Sequence, residues 1–172
     1  MDIGSNSKGV QGRLSNFTAR IFEFDGITCG SLEGILQALK QKAVPMQQYM
    51  CTLIGFKAKK KGYKLNWRTN QELYWNTNVY QRKDKAYQEL LDLIYESCYR
   101  DGRSGLKKDL ELTGKAVFSH SIGKRKESET VLTEREFCSR LQKLKDEGTL
   151  FPVGYNWVIP QHKDILGENN EK

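Results

Sequence analysis

The sequence predicts a mainly helical α+β domain, and three observations carry that expectation. Apolar residues recur at helical spacing in several segments, the longest being Tyr87, Leu90, Leu91, Ile94, Tyr95 and Cys98. In RIFEFDGITC two β-prone runs flank Asp25-Gly26, the pattern of a tight hairpin. Glycines close the periodic segments at Gly62, Gly102, Gly114 and Gly148, so the helices are short and separate.

Taken in order, a Gly/Ser-rich start leads into the hairpin. The helix of GSLEGILQALK follows, with Ser31 placed to cap it and Leu32, Ile35, Leu36 and Leu39 on one face. It stops before Pro45, where a second helix carrying Met46, Tyr49, Met50, Leu53 and Ile54 is expected to run on to Gly62. The stretch from Trp67 to Arg82 is aromatic, polar and weakly periodic, and reads as loops or short turns; its rings form either a binding wall or buried packing. Asp84 can cap the Tyr87–Cys98 helix, and a short helix through Leu106 and Leu110 follows. AVFSH alternates as a strand and leads into the charged loop SIGKRKESET. Thr133 with Glu136 three residues on is a capping-box signature for a helix through Phe137, Leu141 and Leu144. TLFPVGYNWVIP reads as a strand pair or an extended arm, and QHKDILGENNEK as a frayed tail.

A chain of 172 residues supports one ordinary domain with a core, drawn here at residues 10–150 with a C-terminal arm at 151–172. The mean hydropathy of -0.67 and the lack of a long apolar run argue against a membrane span, and MDIGSNSKGV lacks a signal-peptide core. A cytoplasmic location follows as an expectation. Cys29, Cys51, Cys98 and Cys138 show no CxxC pairing, and His120 and His162 adjoin no cysteine, so reduced thiols, no metal site and no cofactor are expected. Lys and Arg number 28 against 21 acids, a net charge of +7 that suits a polyanionic partner. The surplus concentrates in FKAKKKGYKLNWR, where Lys57, Lys60, Lys61, Lys64 and Arg68 are candidate phosphate ligands and Tyr63 and Trp67 candidate stacking rings. The alternative is a solvated helix end whose lysines suit the helix dipole.

On GSLEGILQALK a second, polar stripe of Glu33, Gln37 and Lys40 lies beside the apolar one. Such residues are ordinary on a solvated face, and periodicity does not separate that reading from a catalytic one.

The ordered set LSNF (14–17), FDG (24–26), SLE (31–33), QALK (37–40) and LELTG (110–114) resembles the NADAR, or YbiA-like, family of N-glycosidases. The likeness runs from about Gly12 to Leu150, and GFKAKKKGYKLNWRTNQELYWNTNVYQRKDKAYQELL looks like a branch seen in phages and toxin–antitoxin or accessory regions. It implies a compact YbiA-like α+β domain without a metal. It also implies an enzyme that breaks a ribose–base bond, with Glu33 as general acid/base and Lys40 as covalent nucleophile or sugar-oxygen ligand. Asn16 and Phe17 would meet the ribose, Ser31 and Gln37 would line the pocket, and Trp75 would replace a ring the pattern lacks here. The family's acidic Trp-Gly element is missing after the Thr-Gly turn; His120, Ser121 and Gly123 stand there and would hold a phosphate or the leaving base, although His120 also fits a structural role.

The activity so implied is removal of ADP-ribose from guanine bases, with ADP-ribosylated nucleic acid or an ADP-ribose-type nucleotide as partner. Cleavage of small riboflavin precursors is the near alternative. A module that binds an ADP-ribose or NAD-derived nucleotide without cleaving it, and plain nucleic-acid binding, are the others.

Overall fold

The computed structural model describes residues 1–160. Helices dominate, and the strands form two separate hairpins, so the fold is a mainly helical α+β arrangement as the sequence predicts. In chain order the elements are α1 (Val10–Arg13), β1 (Phe22–Phe24), β2 (Ile27–Cys29), α2 (Leu32–Ala38), α3 (Val44–Cys51), α4 (Gly55–Tyr63), β3 (Glu72–Trp75), β4 (Asn78–Gln81), α5 (Lys85–Arg100), α6 (Leu106–Glu111) and α7 (Glu134–Glu147). Single 3-10 turns at Gly102–Ser104 and Glu127–Glu129 complete the list.

The hairpin β1–β2 pairs Phe22 with Cys29 and Phe24 with Ile27 around Asp25 and Gly26, both at positive φ. Helix α2 begins where Ser31 Oγ accepts from Gly34 N at 3.0 Å. All seven of its residues are buried, because α3 and α4 pack on it as well as the core. Contact with α3 is at backbone level: a Cβ on Gly34 would lie 2.5 Å from Leu53 O and 2.9 Å from Met50 O.

The single helix expected from Pro45 to Gly62 is two helices, α3 and α4. Cys51 O accepts from Gly30 N at 2.9 Å and Leu53 O from Ser31 Oγ at 2.9 Å, so carbonyls that would continue α3 are taken by the start of α2. The expected loop from Trp67 to Arg82 contains the second hairpin, with Leu73 opposite Tyr80 and Trp75 opposite Asn78. Asn76 makes its turn at φ 53, and Gln47 of α3 fastens it by accepting from Asn76 N at 2.9 Å. Leu73, Trp75 and Tyr80 are buried; Trp75 donates to Asp25 Oδ2 at 2.9 Å and packs 5.1 Å from the Phe24 ring, which joins the two hairpins.

Helix α5 runs through the centre, burying the whole predicted stripe from Tyr87 to Cys98. Asp84 precedes it but makes no side-chain cap. Helix α7 has the full capping box: Glu136 N donates to Thr133 Oγ1 at 3.2 Å and Thr133 N to Glu136 Oε2 at 2.6 Å. AVFSH is not a strand. It makes only an isolated bridge between Asp2 and Ser119, with Val117 exposed, because no neighbouring strand offers an edge. α1 forms in the Gly/Ser-rich start, where no helix was expected. Among the described residues the C-terminal arm forms no strand: it turns where Tyr155 N donates to Pro152 O at 3.2 Å, stacking Tyr155 on Phe151 at 4.2 Å, and Leu150 N just before it donates to the buried Glu96 at 2.6 Å. The tail predicted to fray lies outside the described residues. All four cysteines are free thiols; Cys29, Cys51 and Cys98 are buried and Cys138 is half-buried.

Gly34→Ala is expected to lower unfolding free energy by about 1–3 kcal/mol, since α2 and α3 must part to admit the methyl group. Gly102→Ala, whose Cβ would meet nothing within 4 Å, should stay within about 0.5 kcal/mol. Urea denaturation of the two variants checks the contrast.

Candidate functional site

A cavity of about 380 Å³ opens beside α2, between α4 and the segment 120–133. Its floor is the polar stripe of α2. Glu33 is only 5% exposed, and one of its oxygens accepts from Gln37 Nε2 at 2.7 Å. Gln37 Oε1 in turn accepts from Lys40 Nζ at 2.6 Å. The three residues form a relay one helical turn per step, carboxylate to amide to amine, with Lys40 at the open end. The backbone of α4 presses on the amide: a Cβ on Gly62 would fall 1.9 Å from Gln37 Oε1. Only glycine at 62 leaves Gln37 its position.

Burial pulls the Lys40 ammonium down from its ordinary 10.5 to about 8, with Lys59, Arg68 and Lys124 pushing the same way and Glu33 opposing. A large share of this amine is therefore neutral near pH 8, unlike a surface lysine. Lys59 lies 3.6 Å from Glu33 and supplies its only ion pair among the described residues. With Lys40, Arg68 and Lys124 also on the wall, against Glu33 and Glu129, the cavity carries excess positive charge.

Loop Ser15–Phe17 forms one side. Asn16 O accepts from Glu33 N at 2.9 Å, and Asn16 Oδ1 accepts from the buried Tyr95 hydroxyl at 2.8 Å, so α2 holds the backbone of Asn16 and α5 orients its side-chain amide. Phe17, Trp67, Tyr63, Ile122 and Phe137 add apolar surface. The opposite wall, Glu129–Thr133, hangs on two buried side chains. Arg82 Nε donates to Thr130 O at 2.8 Å while its other nitrogens grip both oxygens of Glu136, and Tyr87 Oη donates to Val131 O at 2.6 Å. His120 Nδ1 lies 2.7 Å from Ile3 O; a carbonyl only accepts, so Nδ1 carries the proton and Nε2 is left as acceptor in the neutral ring.

Of the residues singled out from sequence, Asn16, Phe17, Glu33, Gln37, Lys40, Tyr63, Trp67, Arg68, His120 and Gly123 line this one cavity. Seven others do not. Ser31 is fully buried and engaged as the cap of α2, Trp75 is 1% exposed within the hairpin core, and Ser121 spends its N–H and hydroxyl on Asp2. Lys57, Lys60, Lys61 and Lys64 stand outside, on the exposed surface of α4 and its end. Lys59, Lys124 and Thr130 join the wall without having been singled out. Lys59 sat within the basic run, but nothing local in KRKESET connects Lys124 or Thr130 to a helix some ninety residues earlier. Among the described residues, no three His, Cys, Asp or Glu side chains gather where a metal ion could sit. Nor is any helix there long and apolar enough to cross a membrane.

Residues 9–146 match the family model described as bacteriophage protein GP30.3. The chain belongs to the bacteriophage GP30.3 family. A relative from Enterobacteria phage T4, named as an uncharacterized 17.1 kDa protein in the Gp30-rIII intergenic region, is 32% identical over 148 residues, which is 85% of this chain and 97% of that one. No solved structure matches.

Membership in the GP30.3 family overturns the NADAR resemblance, and the expected N-glycosidase function, with its ADP-ribosyl-guanine, riboflavin-precursor and nucleotide-binding variants, falls with it. The association with phages stands. The misleading pieces have local explanations: Ser31 is a helix cap, and the Ser-Asn-Phe turn supplies the carbonyl, Asn16 O, that receives the Glu33 N–H of α2. Short motifs of this kind recur wherever a turn delivers a chain into a buried helix.

The folded chain releases the Lys40 proton near pH 8, whereas the unfolded chain holds it to about 10.4. The unfolded state thus binds more protons across this window, and stability rises with pH from about 8 to about 10.5. Lys40→Met should remove that rise and add about 1–3 kcal/mol at pH 7. Denaturant titrations of both proteins at pH 7 and pH 10 measure it.

Proposed function

We propose that this GP30.3-family protein binds a small anionic organic molecule in the cavity beside α2 and that Lys40 is the amine that reacts with it. The observation that carries the reading is the relay itself: an amine at the cavity floor, hydrogen-bonded through Gln37 to a buried carboxylate and ringed by further cations. The cations favour a negatively charged ligand, and the same crowding leaves Lys40 partly neutral, with a lone pair to donate. The apolar side formed by Phe17, Trp67 and Phe137 suits a flat or apolar portion of the ligand.

An electrophilic carbonyl is the natural target of such an amine. Attack by Nζ gives a carbinolamine; loss of water from it gives an imine, and Glu33, coupled through the Gln37 amide, is the carboxylate positioned to balance the charge that develops on nitrogen. Asn16, fixed by Tyr95, presents an amide to hydroxyl or carbonyl oxygens of the ligand.

Pyridoxal 5′-phosphate, an anionic aldehyde with a flat ring, serves as a probe. Added below stoichiometry, reduced with borohydride and mapped by peptide mass spectrometry, it is expected to mark Lys40 first, with labelling half-maximal near pH 8. Lys40→Arg should abolish that peptide's label. Label spread over Lys57, Lys60, Lys61 and Lys64, with none at Lys40, would overturn the proposal.

A further inference from the structure

Helix α4 also presents an outward surface, which meets the cavity rim at Lys59 and Tyr63 and runs on beyond it through Phe56 and Lys60. Around its axis Phe56, Lys59, Lys60 and Tyr63 fall in one stripe at i, i+3, i+4 and i+7, and Lys57, Lys61 and Lys64 border it. Phe56 is 70% exposed and Tyr63 75%, an unusual condition for two aromatic rings on one short helix. Tyr49 and Ile54 extend the apolar part at the α3–α4 corner, and Lys61 lies 5.8 Å over the Tyr49 ring. No acid lies between Phe56 and Arg68, and among the described residues Lys57, Lys60, Lys61 and Lys64 have no carboxylate partner.

We infer that this face binds single-stranded nucleic acid, the phosphates following the lysines and the bases stacking on Phe56 and Tyr63. Seven residues of helix separate the rings by about 10.5 Å, the span of about three stacked nucleotides at ~3.4 Å each. A base face matches an exposed ring only when unpaired, which selects single strands over duplex. An anionic membrane fits the arrangement less well. An interfacial helix segregates its apolar face from its lysines, whereas here the rings alternate with lysines, and the small side of α4, Gly55, Ala58 and Gly62, is turned inward. The inference goes beyond the cavity reading and does not depend on it.

Fluorescence anisotropy of a fluorescein-labelled dT15 strand tests it, with a hairpin duplex and phosphatidylglycerol vesicles as competitors, between 50 and 300 mM salt. The chosen substitutions are at exposed positions and leave the core intact. The expected result is binding whose log affinity falls with log salt at a slope of about -2 to -3, about 0.7 for each phosphate neutralised. Lys60→Gln with Lys64→Gln should cut that slope by about 1.4, one phosphate each. Phe56→Ala should weaken binding roughly tenfold at every salt concentration without changing the slope. Absence of dT15 binding at 50 mM salt would overturn the inference. So would duplex or vesicles competing as well as unlabelled dT15, or Phe56→Ala binding like the wild type.

Discussion

The arrangement of this protein depends on the burial of one seven-residue helix on all its sides. Helix α2 packs its leucines and isoleucine into the core in the ordinary way, but α3 presses on it at Gly34 and α4 lies against the face where Glu33 and Gln37 emerge. A buried carboxylate and amide must find partners, because leaving either unpaired costs about 1–3 kcal/mol or more. They find each other, then Lys40, then Lys59. The cavity's chemistry is thus a product of packing: the backbone approach at Gly34 and Gly62 sets how near the neighbouring helices come, and that nearness dehydrates the polar stripe.

A second constraint holds the far wall. Residues 129–132 have no regular structure of their own beyond one 3-10 turn, yet they keep their place because Arg82 and Tyr87 reach them from the hairpin end and from α5. Arg82 is completely buried, and its bidentate pairing with Glu136 joins that wall to the cap of α7, since the same carboxylate accepts from Thr133 N. One guanidinium therefore fixes a loop, a helix start and a hairpin. Its pairing is the kind for which losing one partner is costly, since the other is left charged and dry.

Much of this was legible in the sequence where information is local. The Asp25-Gly26 turn, the cap at Ser31, the capping box at Thr133 and the α5 stripe all depend on residues within a few positions of one another. What escaped depends on distant partners. The β3–β4 turn lacks a glycine and is fastened by Gln47, and the break between α3 and α4 arises because Gly30 and Ser31 take carbonyls from a segment twenty residues on. The polar stripe of α2 was visible, but not that it faces a cavity, since its amphipathic pattern is the same against water as against a pocket. Lys124 and Thr130 illustrate the limit most plainly: their loop is brought to α2 by Arg82 on Thr130 O, Tyr87 on Val131 O and Glu134 N on Lys124 O, all contacts between distant segments or across the loop.

The placement of the cysteines makes the fold self-reporting. Cys29 and Cys51 sit at the junction of β2 and α3 beside α2, Cys98 lies near the end of α5, and only Cys138, on α7, has access to water. Burial holds Cys98 up at about 12, so it stays protonated and inert while the core is closed. The rate at which a thiol reagent reaches each of these sulfurs then measures the opening of a different region, and α2 with its relay can be followed separately from α5 without adding any label to the chain.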